Sequence, residues 1–329
     1  TTRVHFTNFS EGVKVNDPYT GENRSPVKQD LIDSARVIDY LPEIDFCEKA
    51  LGAHDVNQET VPLHNAEAYL TNTTKHCAFG PGNGKFLKKI IQMGEAIAAQ
   101  CKRLGIQVNY APDVDINNNP ANPVINDRSF GQNKKTVIDY GIAYMKGMQD
   151  NGVMATAKHF PGHGDTDLDS HYALPVIKHD INHLRNNEFY PFQEMIKQGV
   201  GGMMVAHLSI PALDDTPIKP GKTTTMPTTL SKKVVTDLLK NEMQYKGLIF
   251  TDALNMKGVS SHFPPGIVDV KALLAGNDVL LFPENVGQAV IEIKKAIKNG
   301  DITQEEIDNR VRKILRAKYR VGLDKWQPL

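Results

Sequence analysis

The amino-acid sequence predicts an α/β fold, a single (β/α)8 TIM-like barrel, on three observations. First, a short apolar strand, a polar loop and an amphipathic helix recur at intervals of roughly 30 to 50 residues, which indicates parallel βαβ units. Second, the residues suited to chemistry fall just after the strands, as at the carboxyl-terminal face of a barrel. Third, no Gly-x-Gly-x-x-Gly or Walker loop follows a strand, so the alternative of a doubly wound nucleotide-binding sheet has no support. We therefore expect one barrel domain over residues 1–329.

The readable part of this pattern begins with a helix. Apolar residues recur at helical spacing from Phe86 to Leu104, and Gly105 follows as a stop. The remaining elements are predicted in chain order as a strand at 106–110, a helix at 137–148, a strand at 153–157, a helix at 183–198, a strand at 202–206, a helix capped by Ser231 and ending at 243, strands at 248–251 and 280–282, and closing helices at 286–298 and 303–319. Residues 1–85 show no lasting periodicity, so their elements cannot be assigned from the sequence.

The composition excludes several classes of partner. Lysine plus arginine and aspartate plus glutamate are balanced at 38 each, so no basic surface for nucleic acid is indicated. No apolar run approaches the roughly 20 residues that a membrane-spanning helix needs. No signal-peptide pattern opens the sequence, so we expect a cytoplasmic monomer, or a periplasmic or secreted protein if a leader has been removed. Cys47, Cys77 and Cys101 have no metal-like spacing, and we expect reduced thiols.

The segment 158–171 concentrates ionisable side chains. It follows the predicted strand at 153–157 and reads Lys-His-Phe-Pro-Gly-His-Gly-Asp-Thr-Asp-Leu-Asp-Ser-His. Barrel enzymes place their chemistry in polar loops that follow buried strands. So many ionisable groups in one loop therefore indicate a functional site, with a solvated surface turn as the alternative.

This segment resembles the characteristic motif of family 3 glycoside hydrolases, in particular the bacterial β-N-acetylglucosaminidases of the NagZ type. Further blocks resemble the same family in the same order, namely residues 111–131, Met204-Val205-Ala206-His207 and Phe250-Thr251-Asp252-Ala253-Leu254-Asn255-Met256. The resemblance extends from about Phe86 to the C-terminus and implies that residues 1–85 hold the first barrel units. It also implies a retaining exo-β-N-acetylglucosaminidase without metal or other cofactor. The implied substrate is N-acetylglucosamine joined to anhydro-N-acetylmuramic acid, as in recycled cell-wall fragments.

By this resemblance, Asp252 is the nucleophile. It directly follows the predicted strand at 248–251, where a carboxylate can point into the mouth of a barrel. An ionised carboxylate can attack the anomeric carbon and form a covalent glycosyl intermediate. The alternative is an aspartate that caps the following helix.

The same resemblance assigns the acid/base role to His171, with Asp169 as its partner. A neutral imidazole titrates near the operating pH, so one group can protonate the leaving oxygen and later deprotonate water. The aspartate would orient the ring and stabilise the imidazolium. The alternative is an exposed loop histidine without a function.

Six further positions are expected to bind or position the sugar. Arg128 and the pair Lys158–His159 resemble the sugar-binding groups of the family, with a salt bridge from Arg128 to Asp127 as the alternative. His207 lines the pocket or packs beneath it, and Asp115 positions Arg128 or Lys158. Asn65 stands where the family has an aspartate that binds sugar hydroxyls, and an amide lacks the charge-assisted hydrogen bond of a carboxylate.

Other functions remain open at this stage. A β-N-acetylglucosaminide phosphorylase or a β-glucosidase would use the same family framework. A metal-dependent hydrolase would use the alternating residues His163, Asp165, Asp167, Asp169 and His171 as ligands. A catalytically inactive sugar-binding barrel is favoured only by Asn65.

Overall fold

The computed structural model describes residues 84–166, 168–170 and 173–325, together with the short strands β1 (Val15–Asn16) and β2 (Asn23–Arg24). The chain forms two compact units, Thr1–Phe79 and Gly80–Leu329. In the first unit β1 and β2 pair antiparallel. The first barrel units expected within residues 1–85 lie outside the described residues, apart from these two strands and the start of the first helix.

The second unit is built on a parallel sheet of five strands. These are β3 (Val108–Asn109), β4 (Met154–Phe160), β5 (Gly202–Val205), β6 (Leu248–Ala253) and β7 (Val279–Leu281). Each strand pairs in parallel with the next strand in the sequence. A doubly wound sheet reverses its strand order at a switch point, whereas a barrel adds its strands in sequence. The predicted parallel α/β architecture is therefore confirmed, and the sheet is half a barrel. Closure into eight strands stays a prediction.

Nine α- or π-helices are described in the second unit, besides three short 3-10 helices, and most of the nine lie where the apolar spacing predicts them. They are α1 (Gly84–Arg103), α2 (Lys134–Gln149), α3 (Ile181–Asn186), α4 (Phe189–Lys197), α5 (Lys233–Glu242, with π-type hydrogen bonds), α6 (Lys257–Ser260), α7 (Ile267–Ala275), α8 (Val286–Asn299) and α9 (Gln304–Arg320). The hydroxyl of Ser231 caps the first turn of α5, as expected, because its Oγ accepts the backbone N–H of Val234 at 3.3 Å. Among the described helices, none combines the length and the apolar character that a membrane crossing requires.

Two predictions of helices need correction. The single helix expected at 183–198 is broken into α3 and α4, because Asn187 has a non-helical backbone (φ −120°, ψ −77°). The helices α6 and α7 were not predicted at all. They place two short helices between β6 and β7, directly beyond the strand that ends in Asp252 and Ala253.

The helices cover the sheet closely. Helices α1 and α2 cross at Gly94 and Gly147, where an added Cβ on either glycine would collide with the backbone of the other helix. On another part of the sheet, Ala317 of α9 packs against Met154, Leu248 and Phe250 of β4 and β6. Burying each such large apolar side chain contributes about 1.5 to 3 kcal/mol. This packing fixes the strands whose carboxyl ends form the site.

Candidate active site

Three of the predicted site residues, Lys158, His159 and Asp252, lie near the carboxyl ends of parallel strands. Lys158 and His159 are the fifth and sixth residues of the seven-residue strand β4, and Asp252 is the penultimate residue of β6. The segment after β3 continues the parallel pairing, since Asp113 bridges Lys158 and the N–H of Val114 donates to the carbonyl of Lys158 at 2.8 Å. Parallel strands present their carboxyl ends at one edge, so these side chains converge there.

Asp115 is the hub of the buried polar network. Its Oδ2 lies 2.8 Å from Nδ1 of His159 and accepts the backbone N–H of His159 at 3.1 Å. Its Oδ1 accepts the backbone N–H of His163 at 2.7 Å. Asp115 therefore positions the two histidines directly, and it reaches Arg128, which the sequence led us to expect it to position, through His159.

His159 is held as a neutral imidazole of one tautomer. Burial lowers its pKa to about 4, and the positive charge of Arg128 acts in the same direction. A neutral ring whose Nδ1–H donates to Asp115 has an acceptor at Nε2. Nη2 of Arg128 lies 3.4 Å from that Nε2 and donates to it. The chain Asp115–His159–Arg128 thus orients the guanidinium group.

His163 lies next to this chain. Burial lowers its pKa to about 4, and the neighbouring His159 acts in the same direction. Its Nδ1 lies 3.0 Å from Oγ1 of Thr166. The loop backbone here is held by Asn122, whose Nδ2 donates to the carbonyls of His163 and Gly164 at 2.8 and 2.9 Å.

Asp113 is a site residue that the sequence analysis missed. Burial raises its pKa to about 7, and the negative charge of Asp115 acts in the same direction. Its Oδ1 accepts the backbone N–H of Asp115 at 3.1 Å. Within the described part of the chain its buried Oδ2 has no hydrogen-bond partner, although Nε of Arg128 lies 3.9 Å away. The available signal was the Asp-x-Asp spacing, which places both carboxylates on one face of an extended segment.

Two cations line this buried region. Lys158 is fully buried, at 0% exposure, and the side chain of Arg128 is 23% exposed. Both positive charges oppose the effect of burial on the pKa of Asp113. The alternative for Arg128, a salt bridge to Asp127, involves a side chain outside the described residues. Arg128 faces Asp113 and His159.

Asp252 belongs to the same electrostatic site. Burial is the main effect on the pKa of His159 and of His163, and the negative charge of Asp252 opposes it at both. The carboxylate is half-buried, and its Oδ1 accepts the N–H of Ala253 at 2.8 Å. Asp252 does not cap a helix, because it lies within β6 and the N-cap of α6 is Met256.

His207 packs beneath the site. It is fully buried, with Nδ1 2.7 Å from Oγ1 of Thr229 and Nε2 3.0 Å from the carbonyl of Ala253. Both ring nitrogens are thus engaged by the protein. Of the two expected roles, packing beneath the pocket fits this geometry, and contact with the sugar does not. The histidine supports the residue that follows Asp252.

Of the expected acid/base pair, Asp169 and His171, only Asp169 lies within the described residues. Asp169 is half-buried in the loop that follows β4, and its backbone carbonyl accepts the N–H of Ala173 at 3.1 Å. The next carbonyl, of Ser170, accepts the N–H of Gly258 at 3.0 Å, which ties this loop to α6. His171 and Asn65 lie outside the described residues.

The site offers one set of candidate metal ligands, Asp113, Asp115 and His159, whose ligand atoms lie within 4.8 Å of one another. The oxygens of Asp115 already accept N–H donors from His159 and His163, so the trio is organised as a hydrogen-bonded network. The alternating ligands suggested by the sequence are not brought together in the described residues. His163 contacts Thr166, whereas Asp165 contacts a different histidine, and Asp167 and His171 lie outside the described part.

Comparison with known proteins identifies relatives. Residues 64–317 match the model of the glycosyl hydrolase family 3 N terminal domain. The chain is 37% identical over 242 residues to beta-hexosaminidase A of Pseudoalteromonas piscicida, an alignment that covers 70% of this chain and 40% of the relative. It is 31% identical over 229 residues to a beta-N-acetylglucosaminidase/beta-glucosidase of Cellulomonas fimi, covering 69% and 40% of the two chains.

Solved structures give the same picture. A family 3 beta-N-acetylglucosaminidase from Paenibacillus sp. str. FPU-7 superposes with a TM-score of 0.69 at 38% identity, covering 74% of this chain and 45% of that one. The beta-glucoside phosphorylase BglX superposes with a TM-score of 0.70 at 26% identity, covering 78% and 45%. The chain thus spans less than half the length of these relatives.

Proposed function

Because the chain belongs to glycosyl hydrolase family 3, we propose that it is a retaining exo-β-N-acetylglucosaminidase. Its substrate class is terminal β-linked N-acetylglucosamine, as in cell-wall fragments that carry N-acetylglucosamine on anhydro-N-acetylmuramic acid. The main support from the structure is the strand-end carboxylate Asp252, which shares one electrostatic site with His159 and His163. The names of the hexosaminidase relatives support the choice of sugar.

In the first step Asp252 attacks the anomeric carbon. The carbon–oxygen bond to the leaving group breaks as the bond to the Asp252 carboxylate forms, through an oxocarbenium-like transition state. The strand holds the carboxylate in place, and the N–H of Ala253 fixes one of its oxygens at 2.8 Å. A nucleophile on a strand needs little reorganisation to reach this geometry.

His171 donates the proton that the leaving oxygen requires. In the second step the same imidazole removes a proton from water, which then attacks the glycosyl–Asp252 ester and regenerates the carboxylate. Asp169 orients the ring and stabilises the imidazolium. The described contacts of this loop support the assignment, because Ser170 ties it to α6, the helix that follows the Asp252 strand.

The sugar is bound by the groups that surround Asp252. Arg128 and Lys158 supply N–H donors for hydroxyls and for the acetamide carbonyl. Oδ2 of Asp113, which lacks a hydrogen-bond partner in the described residues, is suited to accept from a sugar hydroxyl. Asp115 and His159 orient Arg128, and Asn65 serves a neighbouring subsite.

A phosphorylase or β-glucosidase of the same family is the second candidate. The specific observations are the superposition on the beta-glucoside phosphorylase BglX and the double name of the Cellulomonas fimi relative. A phosphorylase would transfer the glycosyl group from Asp252 to inorganic phosphate. A neutral histidine acid/base would repel that anion less than a carboxylate would.

Product analysis tests these proposals together. The protein is incubated with a chromogenic β-N-acetylglucosaminide and with the matching β-glucoside, each with and without inorganic phosphate, and the products are followed by proton NMR. We expect free N-acetylglucosamine, formed first as the β-anomer, independent of phosphate. First formation of the α-anomer would contradict retention, a glycosyl phosphate would favour the phosphorylase, and binding without turnover would indicate an inactive sugar-binding barrel. Activity is expected to persist in the folded protein after chelation, and its complete loss there would favour a metal-dependent hydrolase.

A further inference from the structure

A second cluster of metal-ligating side chains lies beside the substrate site and shares none of its residues. It consists of Asp165 in the loop after β4, His179 and His183 around the start of α3, and Glu188 between α3 and α4. The imidazoles of His179 and His183 are stacked, with 3.8 Å between ring centroids. Nε2 of His179 lies 2.5 Å from Oδ2 of Asp165, and Nε2 of His183 lies 3.4 Å from Oε1 of Glu188. We call these four residues the His–Glu cluster.

Two atoms of the His–Glu cluster lack the partners that buried polar atoms normally have. Glu188 is 4% exposed, and within the described residues its Oε2 has no hydrogen-bond partner. Nε2 of His183 is also buried without a hydrogen-bond partner among those residues, despite its proximity to Glu188. Leaving a buried polar atom unpaired costs about 1 to 3 kcal/mol, and more for a charged group. Burial accordingly raises the pKa of Glu188.

The side chains that carry these atoms lie close together. One ligand atom from each of His179, His183 and Glu188 lies within 4.8 Å of the others. Two imidazoles with a carboxylate suit zinc and similar divalent transition ions. Asp165 is placed either to complete a tetrahedral set or to orient the ring of His179, as carboxylates do behind metal-ligating histidines.

We propose that the His–Glu cluster binds one divalent transition ion of the zinc class. The side chains of His179 and His183 are 34% and 38% exposed, which gives the ion a route from solvent. The ion would neutralise the buried Glu188 carboxylate and would be coordinated by Nε2 of His183, which otherwise has no hydrogen-bond partner in the described residues. The proposal does not depend on the glycosidase activity, because none of the four residues is assigned a role in catalysis.

The position of the cluster gives the ion a structural consequence. Glu188 packs against Gly162, where an added Cβ would lie 2.7 Å from Cβ of Glu188. Asp165 is three residues further along the same loop. A bound ion would therefore fasten the loop to the turn between α3 and α4, upstream of Asp169.

Metal titration tests the proposal directly. The protein is treated with chelator, dialysed, and titrated with Zn²⁺ by calorimetry, and in parallel with Co²⁺ while its visible absorption is recorded. We expect one ion per chain, a visible absorption spectrum typical of four-coordinate Co²⁺, and a rise in the melting temperature on adding Zn²⁺. Absence of binding by the wild-type protein would overturn the proposal.

Variants locate the ion. His183→Asn and Glu188→Gln should each weaken binding by at least about a hundredfold, and Asp165→Asn by about 10- to 100-fold. His179→Asn, at a partly exposed residue, provides a second test if Glu188→Gln does not fold, as judged by circular dichroism in metal-free buffer. His262→Asn is the matched control, because His262 lies outside the cluster, and it should bind as the wild type does. Unchanged affinity in the cluster variants would overturn the proposal, as would binding that is lost only in Asp113→Asn, which would place the ion in the substrate site.

Discussion

The carboxylate of Asp115 holds the ring of His159, with 2.8 Å between Oδ2 and Nδ1. Both side chains are buried, and the same oxygen also accepts the backbone N–H of His159 at 3.1 Å. This double contact fixes both the rotamer and the tautomer of the imidazole. His159 consequently presents Nε2 to Arg128, so a buried aspartate determines where the guanidinium that we propose to bind the sugar points.

The substitution Asp115→Asn tests this positioning role. An amide has one acceptor oxygen, so it cannot serve both His159 and His163. We expect the free energy of unfolding to fall by about 2 kcal/mol, and the ¹⁵N NMR signals of His159 to show a mixture of tautomers. KM should rise more than kcat falls, because sugar binding is affected first. A stable variant with a single His159 tautomer and unchanged KM would contradict the assignment.

We expect Asp113 to make the free energy of unfolding depend on pH. Burial raises its pKa in the folded protein to about 7, above the ordinary value of 3.8 for an aspartate. The folded protein therefore binds more protons than the unfolded chain between these values, and stability falls as the pH rises through about 7. The effect is about 1.4 kcal/mol for each unit of pKa difference.

Asp113→Asn should remove this dependence. The free energy of unfolding is measured with urea at about pH 5 and pH 8. We expect it to fall less between these two pH values in the variant than in the wild type. Asp215→Asn is the control, because Asp215 is exposed and Lys233 lowers its pKa, away from this range. Equal pH dependence in Asp113→Asn and the wild type would show that the Asp113 carboxyl does not titrate there.

Gly164 allows the loop to lie against the segment after β3. A Cβ at this position would overlap the backbone of Ile116, which cannot move as a flexible side chain could. Gly164→Ala should therefore destabilise the fold by about 1 to 3 kcal/mol and reduce hydrolysis, since it displaces the loop that carries Asp169.

Gly287→Ala provides the comparison for Gly164→Ala. Gly287 lies in the first turn of α8, where the nearest contact of an added Cβ is Oδ1 of Asn285 at 3.4 Å. Alanine favours a helix over glycine by up to about 1 kcal/mol, so this variant should be neutral or slightly more stable. The melting temperature of each variant is compared with that of the wild type. Equal changes in both variants would indicate that the close approach at Gly164 is unimportant.

The sequence predicts the sheet well because buried parallel strands and amphipathic helices have distinct periodicities. It misses α6 and α7 for physical reasons. Helix α6 is four residues long, which is less than two helical turns. Helix α7 has the sequence IVDVKALLA, with apolar residues on most of its faces and little amphipathic contrast, so its periodicity is weak. The break at Asn187 likewise leaves no mark in the spacing of apolar residues.

The candidate site was likewise predicted only in part from the sequence. Lys158, His159 and Asp252 lie at one edge of the sheet, as their positions near predicted strand ends indicate, and Arg128 reaches His159 from the segment between β3 and α2. Their pairing cannot be read from spacing, because Asp115 contacts histidines that are 44 and 48 positions away in the sequence. Asp113 was overlooked for the same reason, since its importance lies in burial beside a second carboxylate.

Trapping the glycosyl intermediate tests the central claim most directly, which is that Asp252 is the nucleophile. The protein is reacted with a fluorinated N-acetylglucosaminide that forms the intermediate faster than water removes it, then digested and mapped by mass spectrometry. We expect one sugar on the peptide that contains Asp252, no label in Asp252→Asn, and hydrolysis by that variant reduced at least about a thousandfold, while the exposed-site variant Asp215→Asn is labelled normally. A label on any other residue, or full hydrolysis by Asp252→Asn, would contradict the account.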